Sequence, residues 1–225
     1  MIRLNMIVEG QTEQAFVKNV LSQYLASYHI YISVRCVETG RNKSRIYRGG
    51  MTGYEKAEKD IHRWMKEDKN EDARFTTMFD LYGLPADFPG FDDAKKLSDP
   101  YLLVEKIETS FEQDICDRRF IPYIQLHEYE SLILTDPDKF KTLFIGADKQ
   151  INKLKELISH YSSPELINDG EETAPSKRII KEMPLYKDMK STAGPIIAQK
   201  IGLEAIRQKC SHFNEWVIKL ESLAN

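Results

Sequence analysis

Arg3-Leu-Asn-Met-Ile-Val-Glu9-Gly10-Gln-Thr12-Glu13 runs an apolar segment straight into a carboxylate, a glycine, a threonine and a second carboxylate. Leu4, Met6, Ile7 and Val8 form a nearly continuous apolar run. Such a run suits a strand covered on both faces, as in a parallel α/β sheet, better than a strand with one wet face. Gly10 permits a sharp turn at its end, and Thr12 is placed to cap a helix with apolar positions at Phe16, Val17, Val20, Leu21 and Leu25. Glu9 then stands at the carboxyl lip of the strand and Glu13 in the first helical turn. Ligands of open α/β sheets bind beyond the carboxyl ends of the strands, so the two acids stand where a divalent cation would be held. The plainer alternative is that Glu13 serves the helix dipole and Glu9 is solvated.

The same grammar recurs downstream. Ile30–Val37 reads as a second strand, and Tyr54–Asp68 as an amphipathic helix with Ala57, Ile61, Trp64 and Met65 on one face. Arg74–Phe79 reads as a strand ending in Asp80 and broken by Gly83 and Pro85. A helix over Pro100–Asp117 leads into a strand over Phe120–Leu126, which ends in His127-Glu128-Tyr129-Glu130. Three strands therefore terminate in acids. Parallel strands would gather those like charges at one edge, which is costly unless a cation neutralises them. Carboxylates without a Cys or paired-His motif point to a hard cation, Mg²⁺ or Mn²⁺. His127 reads as a ligand, a base or a hydrogen-bonding neighbour of the acids. Asp87, Asp92 and Asp93 read as turn and cap residues.

Between the second strand and the first amphipathic helix, Thr39–Tyr54 reads as a glycine-rich loop carrying Arg41, Lys43, Arg45 and Arg48. These four cations are candidates for gripping a nucleic-acid backbone, against the alternative of a solvated loop. The pattern lacks P-loop spacing. From Asp136 onward helical patterns dominate. Lys177 and Lys190 are candidates to stabilise charge developing on a phosphate, with surface solubilisation as the alternative.

With 30% charged and 41% hydrophobic residues, the 225-residue chain has the composition of an ordinary globular protein. A formal net charge of -3 argues against a whole-surface grip on nucleic acid and leaves room for a local basic patch. The sequence shows neither a membrane span nor a signal-peptide core, so the expected location is cytoplasmic and no membrane partner is expected. Cys36, Cys116 and Cys210 are odd in number and widely spaced, which disfavours a disulfide framework or a thiolate zinc site. No linker divides the chain. The expectation is a single unit over residues 1–225, with an α/β core over 1–135 and a helical extension over 136–225 packed on it.

Val8-Glu9-Gly10-Gln11-Thr12-Glu13, Asp80-Leu-Tyr82-Gly83 and His127-Glu128-Tyr129-Glu130 together resemble a bacterial family of Toprim-like domains of unknown function. Pro175-Ser-Lys177-Arg178, Gly194-Pro195, Ile201-Gly202-Leu203 and Cys210-Ser-His212-Phe213 with Trp216 extend the likeness over nearly the whole chain. The family is related to the Toprim domains of overcoming-lysogenization-defect (OLD) nucleases. The resemblance implies a mainly parallel, Rossmann-like sheet flanked by helices, with a C-terminal helical extension. It maps Glu9 and Glu13 onto a first acidic pair, Asp80 onto the start of an Asp-x-Asp, and Glu128 and Glu130 onto a third element. Tyr82 departs from this pattern where a second aspartate is expected, with Asp87 as a possible substitute. The resemblance implies a Mg²⁺-dependent nuclease in bacterial phage defence, with Glu9, Asp80, Glu128 and Glu130 as metal ligands, and an AAA- or ABC-type ATPase encoded nearby. Two alternatives stand beside it: a non-catalytic module with a degenerate site that senses nucleic acid or docks on a partner, and a Mg²⁺ enzyme acting on a small phosphorylated substrate.

Overall fold

A computed structural model describes residues 1–41, 46–48, 51, 53–167 and 173–224, with backbone alone for 38–41 and 46–48. Strand β1 (Ile2–Val8) sits inside a parallel sheet between β2 (Ile30–Cys36) and β5 (Ala73–Asp80). On the far side of β5 lie two short parallel strands, β6 (Phe120–Ile121) and β7 (Ile124–Gln125). The expected α/β class with a mainly parallel sheet and a C-terminal helical part is what the chain adopts.

The apolar run of β1 is explained by its two covered faces. Leu4, Met6 and Val8 enter one core with the first helix and the C-terminal helices, while Ile7 enters a second core on the opposite face. Met78 and Phe79 of β5 divide in the same way. The second core holds α3 (Tyr54–Glu67), α4 (Phe91–Ala94) and α5 (Pro100–Ile115) against the sheet. Asp99 caps α5 by accepting from the Tyr101 and Leu102 N–H groups at 2.8 and 3.3 Å.

The first core joins α1 (Gln11–Phe16) and α2 (Ser22–Ala26), linked by a wider π turn over Val17–Leu21, to the C-terminal helices. These are α6 (Glu130–Ile133), α7 (Asp148–Ile158), α8 (Pro175–Glu182), α9 (Tyr186–Ile201), α10 (Leu203–Lys209) and α11 (Ser211–Glu221). Trp216 of α11 stacks on Tyr123 at 4.2 Å, and its indole N–H donates to the Thr76 hydroxyl at 3.0 Å. The C-terminal helices thus share a buried core with β1 and β5. No helix among the described residues is long and apolar enough to cross a membrane.

Three local expectations change. Gly10, not Thr12, is the N-cap of α1. Thr39–Tyr54 is not all loop, because Glu38–Arg41 and Ile46–Arg48 pair as antiparallel strands β3 and β4. The single strand expected over Phe120–Leu126 is split in two at Pro122, which has no N–H to give a ladder. The Thr77 hydroxyl bridges this break, accepting from Tyr123 N–H at 3.0 Å and donating to Tyr123 C=O at 3.1 Å.

Candidate active site

Parallel pairing brings the acids together. Register Val8↔Met78 in β1/β5 and Asp80↔Gln125 in β5/β7 ends all three strands at one edge of the sheet. Glu9 leaves β1 there and its Oε2 accepts the Asp80 N–H at 3.3 Å. Asp80 closes β5 and its Oδ1 accepts the Tyr129 N–H at 3.0 Å. Glu13, buried in the first turn of α1, turns back so that Oε2 accepts the Gly10 N–H at 2.8 Å. Glu128 reaches away to α8, its Oε2 accepting the Ser176 N–H at 2.8 Å in the first turn of that helix. Glu130 is 2% exposed and pairs through Oε1 with Lys190 Nζ at 3.1 Å while accepting the Tyr186 hydroxyl at 3.1 Å.

The electrostatics follow from this packing. Burial raises the Asp80 carboxyl well above its usual range, with Glu13, Glu9, Glu130 and Glu128 pushing in the same direction. Burial raises Glu13 to about 7, and the charges of Glu9 and Glu130 add to the effect. Glu9 and Glu130 are also raised, chiefly by burial, although the Asp80 N–H opposes the shift at Glu9 and Lys190 opposes it at Glu130. Lys190 feels the converse field. Burial would depress its ammonium, but Glu130, Glu128 and Asp80 outweigh that and raise it. His127 is 7% exposed and burial lowers it to about 4, so at neutral pH it brings no positive charge to the cluster.

Of the sequence candidates, Glu9, Glu13, Asp80, Glu128, Glu130 and Lys190 are therefore brought into one electrostatic cluster. Lys177 stands exposed in the first turn of α8, one residue from the amide that holds Glu128. Lys43 and Arg45 lie outside the described residues, as do the side chains of Arg41 and Arg48. Asp87 is used elsewhere: it accepts the Tyr54 N–H at 3.2 Å at the start of α3. Among the described residues, no three Asp, Glu, His or Cys side chains stand as a ready ligand set around one point. The backbone bonds to Glu9, Glu13 and Asp80 each engage one carboxylate oxygen. The donor set is all oxygen and mostly buried, so it fits a hard cation in chemistry, and in geometry it requires side-chain rotation toward a common point.

Two members escaped the sequence reading. Tyr186 precedes Lys190 by one helical turn, a spacing that puts both on one face of α9, and that spacing was the available signal. Gly83 follows β5, where an added Cβ would come within 2.7 and 2.8 Å of the two Glu9 carboxylate oxygens. Nothing in the bare sequence marks that close approach.

No curated protein and no solved structure gives a significant match to the chain. The family model described as Domain of unknown function (DUF4276) matches residues 8–221, from the last residue of β1 to the last residue of α11, and the chain belongs to that family.

Proposed function

We propose that this protein is a Toprim-like, metal-dependent nuclease that hydrolyses phosphodiesters of nucleic acid. The observation that carries the reading is the convergence of Glu9, Glu13, Asp80, Glu128 and Glu130 at one sheet edge, with Lys190 opposing them among the described residues. A protein gains nothing in stability from burying like charges together, so such a cluster is better explained by a ligand that discharges it. Glu9, Asp80 and Glu128 are the ligands we assign to Mg²⁺ or Mn²⁺, with Glu130 closing the set from the Lys190 side. When bound there, one or two such ions would supply Lewis-acid activation of water and of the leaving oxygen.

The remaining steps belong to the chain. Glu13, turned back over the start of α1 with its carboxyl raised by burial, is suited to take a proton from the attacking water. Lys190, held by Glu130, offers a fixed positive charge to the equatorial phosphate oxygens. Lys177, exposed beside the Glu128 anchor, would meet the incoming backbone. The resemblance adds a phage-defence setting and an ATPase partner of AAA or ABC type. One observation favours a second reading, a sensing or docking module with a degenerate site: Tyr82 stands where the resemblance expects a carboxylate.

The test is incubation of the purified protein with plasmid DNA and with tRNA in Mg²⁺ or Mn²⁺, with and without the neighbouring ATPase. Wild type should cleave at least one substrate, and Glu9→Ala and Asp80→Ala should not. Equal cleavage by all three proteins refutes the assigned site. Metal binding without cleavage in any arm supports the second reading.

A further inference from the structure

At the amino edge of the sheet Arg3, Arg74 and Arg119 stand at the starts of the neighbouring strands β1, β5 and β6, with Asp68, Glu71, Asp72 and Asp117 in the turns beside them. At the β5 and β6 end a depression of about 880 Å³ opens between the turn before β5 and the turn before β6. Such a volume lies within the range of small-ligand sites. β5 is eight residues long, so the depression is about 23 Å from the acid cluster at about 3.3 Å per residue.

The charges lining it do not cancel. Arg119 is neutralised by Asp117, whose carboxylate oxygens it meets at 3.0 and 2.8 Å, and is tied further to the Asp68 C=O at 2.9 Å. Asp68, nearby, is matched by Arg3 at 3.2 Å. Arg74 is held in place by the C=O groups of Glu71 and Ala73, both at 2.9 Å, which orient its guanidinium without discharging it. Lys69 and Arg118 are exposed and form no salt bridge among the described residues. Lys69, Arg74, Arg118 and Arg119 therefore line the depression against the carboxylates of Glu71 and Asp117, with Asp72 adjacent in the chain. Among the described residues no aromatic side chain lines the depression to stack on a base.

We propose that this depression is a second anion site that binds phosphate groups, independent of the acid cluster. A preoriented arginine flanked by two exposed cations matches a phosphate carrying two or more negative charges. The phosphates could be those of a free polyphosphate or of a nucleic-acid backbone. Either source would be gripped without reading a base.

Calorimetric titration of the full-length protein with inorganic tripolyphosphate, with ATP and with a short DNA duplex tests this. EDTA in the buffer leaves the acid cluster to repel anions. Saturable binding of at least one probe is expected, weakened about tenfold or more in Lys69→Glu/Arg118→Glu, both exposed positions with no salt bridge among the described residues. Asp80→Asn should bind as wild type does. Tighter binding of tripolyphosphate or ATP than of duplex assigns a free polyphosphate, and tighter binding of duplex assigns a backbone. The proposal is overturned by no saturable binding, by an undiminished double variant, or by an equal loss in Asp80→Asn.

Discussion

Replacing Glu13 by Gln should stabilise the metal-free protein, and by an amount that depends on pH. Burial raises the folded-state carboxyl from 4.5 to about 7. Between those values the folded protein holds a proton that the unfolded chain has released. The contribution of this group is therefore complete below pH 4.5 and is lost as pH rises through 7. At about 1.4 kcal/mol per pH unit, the loss comes to about 3 kcal/mol above pH 7. Gln has no proton to lose and retains an oxygen to accept the Gly10 N–H. In EDTA, thermal unfolding of wild type and Glu13→Gln should give a difference that grows in favour of the variant from pH 4 to pH 8. For a chain of this length about 3 kcal/mol is a midpoint gain of about 6–12 °C. Adding Mg²⁺ at pH 8 should raise the wild type by the binding linkage and close part of the gap. A difference that does not change with pH, or a variant less stable than wild type at pH 8, refutes the reasoning that Glu13 is buried against its charge.

Three further changes probe the architecture. Gly83→Ala places a methyl against both Glu9 oxygens, at 2.7 and 2.8 Å, and should lower Mn²⁺ affinity in calorimetry about 10-fold or more by displacing that carboxylate. Tyr186→Phe removes a hydroxyl that donates to Glu130 at 3.1 Å and should cost about 1–3 kcal/mol in urea unfolding, leaving the Lys190 ion pair in place. Thr76→Val strands the buried Trp216 indole N–H, and unfolding followed by tryptophan fluorescence should show a loss of about 1–3 kcal/mol.

Periodicity was enough to read the main elements. The apolar run of β1 declared two covered faces, and the spacing of Ala57, Ile61, Trp64 and Met65 placed a helix over Tyr54–Asp68 that the structure has over Tyr54–Glu67. The gathering of acids was legible for a geometric reason: parallel strands share an edge, so an acid at the end of each is brought near the others by topology alone. What stayed hidden depends on contacts between distant residues. The break at Pro122 is mended by Thr77, 46 residues away in the pairing with Tyr123. Lys190 could not be ranked above Lys177 until Glu130 was seen beside it. The N-cap of α1 was misplaced because Thr12 has the right chemistry, but the chain already turns at extended Gly10, where the Glu13 carboxylate satisfies the N–H.

Tyr82 stands where the resemblance expects a carboxylate, and its surroundings explain why the cluster does not depend on that position. Residues Leu81–Gly83 form a tight turn after β5, anchored by the Tyr82 N–H to the His127 C=O at 3.1 Å. That turn puts the Tyr82 side chain at 37% exposure and presses Gly83 against Glu9. Charge near Asp80 comes instead from Glu13 and Glu130, both buried, both raising its carboxyl. Four acids around Asp80 already drive protons onto the folded protein, and a fifth at position 82 would add repulsion to them. The phenol at Tyr82 therefore leaves the rim without a further charge beside the acids that act on Asp80. On this argument Tyr82→Asp should deepen the loss of stability above pH 7 in EDTA and increase the stabilisation gained from Mn²⁺. A variant that changes neither would mean that position 82 lies outside the field of the cluster.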